Sequence, residues 1–245
     1  MPTVNRFVLV TSLLLAPASS LLAQPAGDPS GHWTGAIHVP AFNGASPREV
    51  AIDIDLAKNA KGELAGTFGQ PAQHVKGLPL SNVSVNGQSV WFELKATAGG
   101  GVFNGTFAGL TAMAGEFVTA EGGYTIPFDL KRTGDALIAA APRNAAIGKE
   151  LEGTWNGTVE YQGRKERLVL KCANQPDGTA TGTIVDLDGS NMEIPIAMTQ
   201  KGANVTFEIA TVSAAYTAVL AGNELAGTWT QGGLELRLTM TRAAK

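Results

Sequence analysis

Apolar and polar residues alternate with a period of two along most of the chain. Val50, Ile52, Ile54 and Leu56 alternate with Ala51, Asp53 and Asp55, and Leu234, Leu236, Leu238 and Met240 alternate with Glu235, Arg237 and Thr239. Such rows predict β-strands with one dry and one wet face, because successive side chains leave a strand on opposite sides. Turn residues punctuate the rows: Asn86-Gly87, Gly122-Gly123, Pro176-Asp177-Gly178, Asp188-Gly189 and Gly232-Gly233. No stretch carries a convincing helical period.

The rows occur twice. Gly31-His32-Trp33-Thr34-Gly35 returns as Gly153-Thr154-Trp155-Asn156-Gly157, and Gly62-Glu63-Leu64-Ala65-Gly66-Thr67 as Gly178-Thr179-Ala180-Thr181-Gly182-Thr183. Leu78-Pro79-Leu80 matches Ile194-Pro195-Ile196, Val90 to Glu93 matches Val205 to Glu208, and Met113-Ala114-Gly115 matches Leu225-Ala226-Gly227. Phe128 to Arg132 matches Leu238 to Arg242. The order never changes, so the chain divides into two homologous units of roughly 100 residues, each large enough for its own core. The expected boundaries are 28–133 and 150–243, with an Ala-rich connector at 134–149. Each unit reads as about eight short strands. Pro79 and Pro195 share a repeat position that suits a bulge or a strand start. Short connections between consecutive strands predict an all-β fold of two tandem eight-stranded antiparallel up-and-down barrels, with β-sandwiches as the alternative. Short strands with charged outward positions argue against an outer-membrane barrel.

The N-terminal stretch 1–23 reads as a signal peptide: Arg6, an apolar run from Phe7 to Ala16, Pro17, and Ala23 before Gln24. The run is shorter than the ~20 residues of a membrane span, and no Cys follows it to carry a lipid. The mature protein is therefore expected to be exported, periplasmic or extracellular, without a membrane span. Composition agrees with short strands and tight turns, with 30 Gly in 245 residues and only 16% charged residues. A net charge of −3 offers no basic face to nucleic acid. The single Cys172 cannot form an internal disulfide.

Trp33 with Arg132, and Trp155 with Arg242, place a Gly-x-Trp opening on the first strand of each unit and an Arg just after the last apolar row. This pairing resembles the signature of the calycins, the lipocalins, fatty-acid-binding proteins and avidins. That resemblance implies a barrel in which Arg132 and Arg242 close one end by crossing the Trp ring, a contact worth ~1–2 kcal/mol when partly desolvated. Each unit is also similar to the β-rich module that precedes serine-aminopeptidase-type α/β-hydrolase domains in exported bacterial proteins. No hydrolase domain follows here, so no activity carries over.

Candidate chemistry is sparse. There is no Gly-x-Ser-x-Gly elbow. His32 and His38 share the strand parity opposite to Trp33 and are expected to face solvent, about 20 Å apart, and His74 completes the set of three imidazoles. Cys172 shares parity with Leu168 and Leu170 and reads as a buried, inert thiol. The acidic stretch from Asp186 to Glu193 lacks the glycine and the distant Glu of a calcium loop and reads as a hairpin turn. No cofactor or metal is implied, and the protein is not expected to be an enzyme. Inward parity collects Trp33, Phe68, Phe92 and Phe103 in the first unit and Trp155, Phe207, Tyr216 and Trp229 in the second. These aromatics fill a core or line an apolar pocket. The expected function is binding of a small apolar or amphipathic molecule within the barrels. The alternative is a structural or protein-interaction module with solid barrels, accessory to an exported partner.

Overall fold

The computed structural model describes residues 28–42, 44–59, 61–95, 100–161, 163–189 and 191–244, so the segment 1–23 read as a signal peptide lies outside the described residues. Two antiparallel sheets each wrap into a nearly closed cylinder. The first contains β1 (Gly31–Val39), β2 (Arg48–Lys58), β3 (Leu64–Gln70), β4 (Val75–Pro79), β5 (Ser81–Asn86), β6 (Ser89–Leu94), β7 (Gly101–Ala108), β8 (Ala112–Thr119) and β9 (Thr125–Gly134). Its spatial order is β4-β3-β2-β1-β9-β8-β7-β6-β5, so every neighbour is a sequence neighbour except where β1 meets β9. The second contains β10 (Asn144–Ala145), β11 (Gly153–Tyr161), β12 (Arg164–Asn174), β13 (Thr179–Asp186), β14 (Ile194–Pro195), β15 (Ala197–Lys201), β16 (Asn204–Ile209), β17 (Ala214–Ala221), β18 (Glu224–Gln231) and β19 (Leu234–Arg242). Its order is β10-β13-β12-β11-β19-β18-β17-β16-β15, with β14 also on β13.

Counting the strand broken at the seam once leaves eight positions in the first cylinder, and eight in the second besides the two-residue β10 of the connector, which pairs with β13. β4 and β5 are separated by Leu80 alone, and β14 and β15 by Ile196 alone. Pro79 and Pro195 sit just before these breaks, where a missing amide hydrogen costs no ladder bond. The break lets one backbone amide reach across: Leu80 N donates to Gly66 O at 2.9 Å, and Ile196 N to Gly182 O at 3.0 Å. Glycine is required opposite the break. A Cβ on Gly66 would fall 2.9 Å from a Leu56 methyl and 3.1 Å from a Leu80 methyl, and one on Gly182 would fall 2.5 Å from the Met198 sulfur.

Every second residue points inward, and the inward rows form the core. In the first cylinder Phe103 is the hub, with ring centroids 4.4 Å from Phe117, 4.8 Å from Phe92, 5.2 Å from Phe128 and 6.4 Å from Phe68. Burying each such ring contributes ~2–3 kcal/mol relative to leaving it in water. In the second, Phe207 stacks on Tyr216 at 5.8 Å. The buried Tyr216 hydroxyl has Leu225 O at 2.6 Å and Leu238 O at 3.1 Å as acceptors. Burial pushes its phenol pKa upward, so it remains a neutral donor.

The second seam is stapled by residues of the connector. Asn144 is 5% exposed; its Nδ2 donates to Ile196 O at 3.1 Å and its Oδ1 accepts from Met198 N at 2.7 Å. Asn174 grips Ile147 in the same two-pronged way, accepting from its N–H at 2.9 Å and donating to its carbonyl at 2.8 Å. Replacing Asn144 with Ala leaves two seam groups without these partners, and is expected to lower unfolding stability by about 2–3 kcal/mol. Urea unfolding of Asn144→Ala with an unchanged m-value checks this; an unaltered midpoint would show that the staple does not hold the seam.

Candidate functional site

The two ends of the second cylinder differ. At one end Trp155 is fully buried and donates from Nε1 to Leu151 O at 3.0 Å. The Arg242 guanidinium carbon lies 4.1 Å from the Trp155 ring centroid. Arg242 also donates to the carbonyls of Glu150 and Glu152, and to Asn223 Oδ1 at 3.1 Å. One side chain thus covers the indole and satisfies the incoming loop. In the first cylinder Trp33 donates from Nε1 to Pro29 O at 3.1 Å and packs 5.4 Å from Phe107. Arg132 is its register partner on β9 and crowds Gly31, where a Cβ would meet its Nε at 2.4 Å.

The far end of the second cylinder is open. A cavity of about 560 Å³ lies there, beyond Val159, Leu168 and Ile184, the last apolar residues of the inward rows of β11, β12 and β13. Ile194, Ile209, Trp229, Leu234 and Leu236 complete its apolar wall. Four inward rows end in a polar group at this rim, with Tyr161 on β11, Glu166 and Arg164 on β12, Asp186 on β13 and Gln231 on β18, while β16 and β19 end in Ile209 and Leu234. Leu78 and Lys95 of the first cylinder form part of the wall. The two cylinders meet here, where Ser213 Oγ donates to His74 O at 3.1 Å. Both residues end 3-10 turns, Pro71–Gln73 and Ala210–Val212, in left-handed conformation with φ of 54° and 50°. By register both turns lie at the cylinder ends remote from Trp33 and Trp155, so the cylinders face each other mouth to mouth.

Charge at the rim is arranged unevenly. Asp186 Oδ1 accepts from the amides of Asp188 and Gly189, each at 3.0 Å, and holds the turn. Asp188 is gripped by Arg167, with Nη2 to Oδ1 at 2.6 Å, which draws its carboxyl below the usual range. Glu166 is different. It is half-buried, and burial together with the nearby Asp186 and Asp188 carboxylates pushes its pKa up, against a smaller opposing pull from Arg164.

Of the eight aromatics singled out by parity, Trp229 lines the cavity. Trp33, Phe68, Phe92, Phe103, Trp155, Phe207 and Tyr216 are buried in the hydrophobic core. His32 departs from its solvent-facing expectation. It is half-buried, with Nδ1 at 2.8 Å from Asp55 Oδ1, and the same oxygen accepts from Leu137 N at 2.7 Å. The segment after β9 therefore folds over the outer face of β1 and β2. His38 is exposed between Asp129 Oδ1 at 2.5 Å and Glu49 Oε1 at 3.4 Å, and hydrogen bonding to Asp129 raises its pKa. Trp91, of outward parity, is half-buried opposite Asn104 and Ser84. The sequence reading missed Glu166 and Gln231 as site residues. The available signal was parity: Glu166 lies two residues before Leu168, Asp186 two after Ile184, and Gln231 two after Trp229.

No protein-family model matches the chain, and no curated protein matches it. Among solved structures it is similar to a Bacteroides fragilis protein provisionally named an outer membrane protein. That match has 12% identity, covers 90% of this chain and 99% of the other, and has a TM-score of 0.29. A Nostoc punctiforme protein of unknown function from the DUF3598 family gives 14% identity, 87% and 96% coverage and a TM-score of 0.23. Isotype 1 transferrin binding protein B from serogroup B Neisseria meningitidis gives 11% identity, 84% and 55% coverage and a TM-score of 0.23. At these scores none of them bears on the function of this chain.

Two outcomes follow from this geometry. Replacing Arg242 by Met is expected to cost about 2–3 kcal/mol of stability, since it removes the ring contact and strands the loop carbonyls; chemical denaturation reads this directly. Cys172 is 3% exposed and burial pushes its thiol pKa up to about 12. A thiol reagent at pH 8 should therefore label it only as the protein unfolds, and labelling of the native state at the rate of a free thiol would contradict its burial.

Proposed function

We propose that this is an exported, non-enzymatic binding protein that holds one small amphipathic molecule in the mouth of its second cylinder. The carrying observation is the 560 Å³ cavity, whose wall is apolar and whose rim is polar. That layering suits a ligand with an apolar body and a polar head. The absence of an enzymatic role is supported by the placement of the reactive groups. His32 and His38 are engaged by carboxylates of the first cylinder, and Cys172 is a buried thiol with a raised pKa. Export is supported by the leader-like segment alone.

A protein-interaction role is the second reading, and it rests on the first cylinder. Its centre is occupied by the Phe103 cluster. It also displays Phe42 and Tyr124, each 55% exposed, as an edge-to-face pair at 5.6 Å. A Phe42→Ser/Tyr124→Ser double variant separates this surface from the cavity.

The neutral amphipathic dye N-phenyl-1-naphthylamine tests the leading reading. Its fluorescence should rise on binding, and a Leu236→Trp variant, which fills the cavity, should weaken binding at least about tenfold while retaining the melting temperature. The Phe42/Tyr124 double variant should bind as the parent does. Dye binding that is insensitive to Leu236→Trp, or no binding at all, would contradict the proposal.

A further inference from the structure

We infer that the mouth of the second cylinder selects amphiphiles with a cationic head, a protonated amine on an apolar chain, and that the Glu166 carboxylate makes the selection. This rests on the cavity reading above and adds the chemistry of the ligand.

Glu166 continues the inward row of Arg164, Leu168, Leu170 and Cys172 on β12, so its side chain enters the mouth rather than leaving the outer face. It is half-buried and feels the Arg164 charge, with no side-chain hydrogen bond or salt bridge shown for its carboxylate among the described residues. Arg164 offsets only part of the desolvation cost of this carboxylate, and an ammonium ion is the group that relieves the rest. The charges around it favour the same sign of ligand. On β13 Asp186 adds a second negative charge to the rim, and its Oδ1 is already committed to two turn amides. Asp188, on the loop after β13, is neutralised by Arg167.

Two cations also line the cavity, and the pull of Arg164 on Glu166 is outweighed by burial and Asp186. Arg164 is exposed on its own strand, and Lys95 of the first cylinder has a side chain 45% exposed and lies 3.8 Å from Glu93 Oε2. Both stay hydrated and do not need a ligand to satisfy them. An anionic head placed against Glu166 and Asp186 would join like charges in a half-buried setting, which costs more than it does in water. Below the carboxylates Trp229 presents an indole to the cavity, and its ring adds cation–π attraction to an ammonium group. The apolar wall of Ile184, Leu168 and Leu236 takes the chain.

Three octyl probes of equal chain length isolate the head group: octylamine, octanol and octanoate, titrated calorimetrically into the native protein at pH 7. Octylamine, protonated at this pH, should bind about tenfold tighter than octanol, and octanoate should bind more weakly than octanol. Glu166→Gln should abolish the preference for octylamine and leave octanol affinity unchanged.

A second arm needs no variant. Because the ligand requires the ionised carboxylate, and the amine stays protonated throughout, octylamine affinity should fall as the pH drops from 7 through the raised pKa of Glu166. Octanol affinity should stay flat across the same range. Equal affinity for octylamine and octanol, a preference for octanoate, or an unchanged preference in Glu166→Gln would overturn this inference while the cavity reading stands. If none of the three probes binds, both fall.

Discussion

Pairing of the first strand with the last, β1 with β9 and β11 with β19, is the constraint from which the rest follows. Once an eight-position sheet closes on itself, every second side chain faces a confined interior, and the composition of each inward row sets what that interior can be. Apolar rows give a core. Rows that turn polar at one end give a mouth. The closure needs a seam, and both cylinders make it with the same device: a strand broken after a proline, a single amide crossing to the carbonyl of a glycine, and an apolar side chain over that glycine.

The two repeats diverge beyond that shared frame. Val39, Val50 and Gln70 occupy the inward row ends of β1, β2 and β3, where Tyr161, Glu166 and Asp186 stand in the second cylinder. The first cylinder fills its centre with phenylalanines, its Leu78 and Lys95 become part of the wall of the second one's mouth, and its His74 carbonyl accepts from Ser213 beside it. The two cylinders therefore differ in how their interiors are filled. One provides a packed body against which the other's opening is shaped, and the surface between them joins apolar wall to charged rim.

Much of this was legible in the chain. Alternation gave the inward rows and the repeat gave the number of cylinders, while the two prolines, read as a bulge or a strand start, instead end the strands that break at the seams. Three features were not legible, each for a physical reason. Parity tells which face of a sheet a residue takes but not what covers that face, so His32 looked solvated although the segment around Leu137 lies over its partner Asp55. Asn144 lies in a connector of ordinary loop composition, and only the fold shows that its amide completes a seam more than fifty residues away in sequence. The mouth was hidden because the inward rows were followed only while they stayed apolar; continued by one step, they reach Glu166, Asp186 and Gln231.

The asymmetry between a filled and an open cylinder is best examined by NMR of the indole N–H groups during titration with octanol. The chain has four tryptophans, placed at the closed ends (Trp33, Trp155), on an outer face (Trp91) and at the open mouth (Trp229). The Trp229 signal should shift progressively and saturate while those of Trp33 and Trp155 stay fixed. Shifts of Trp33 or Trp155 with a stationary Trp229 would place the ligand elsewhere and contradict an opening at the far end of the second cylinder.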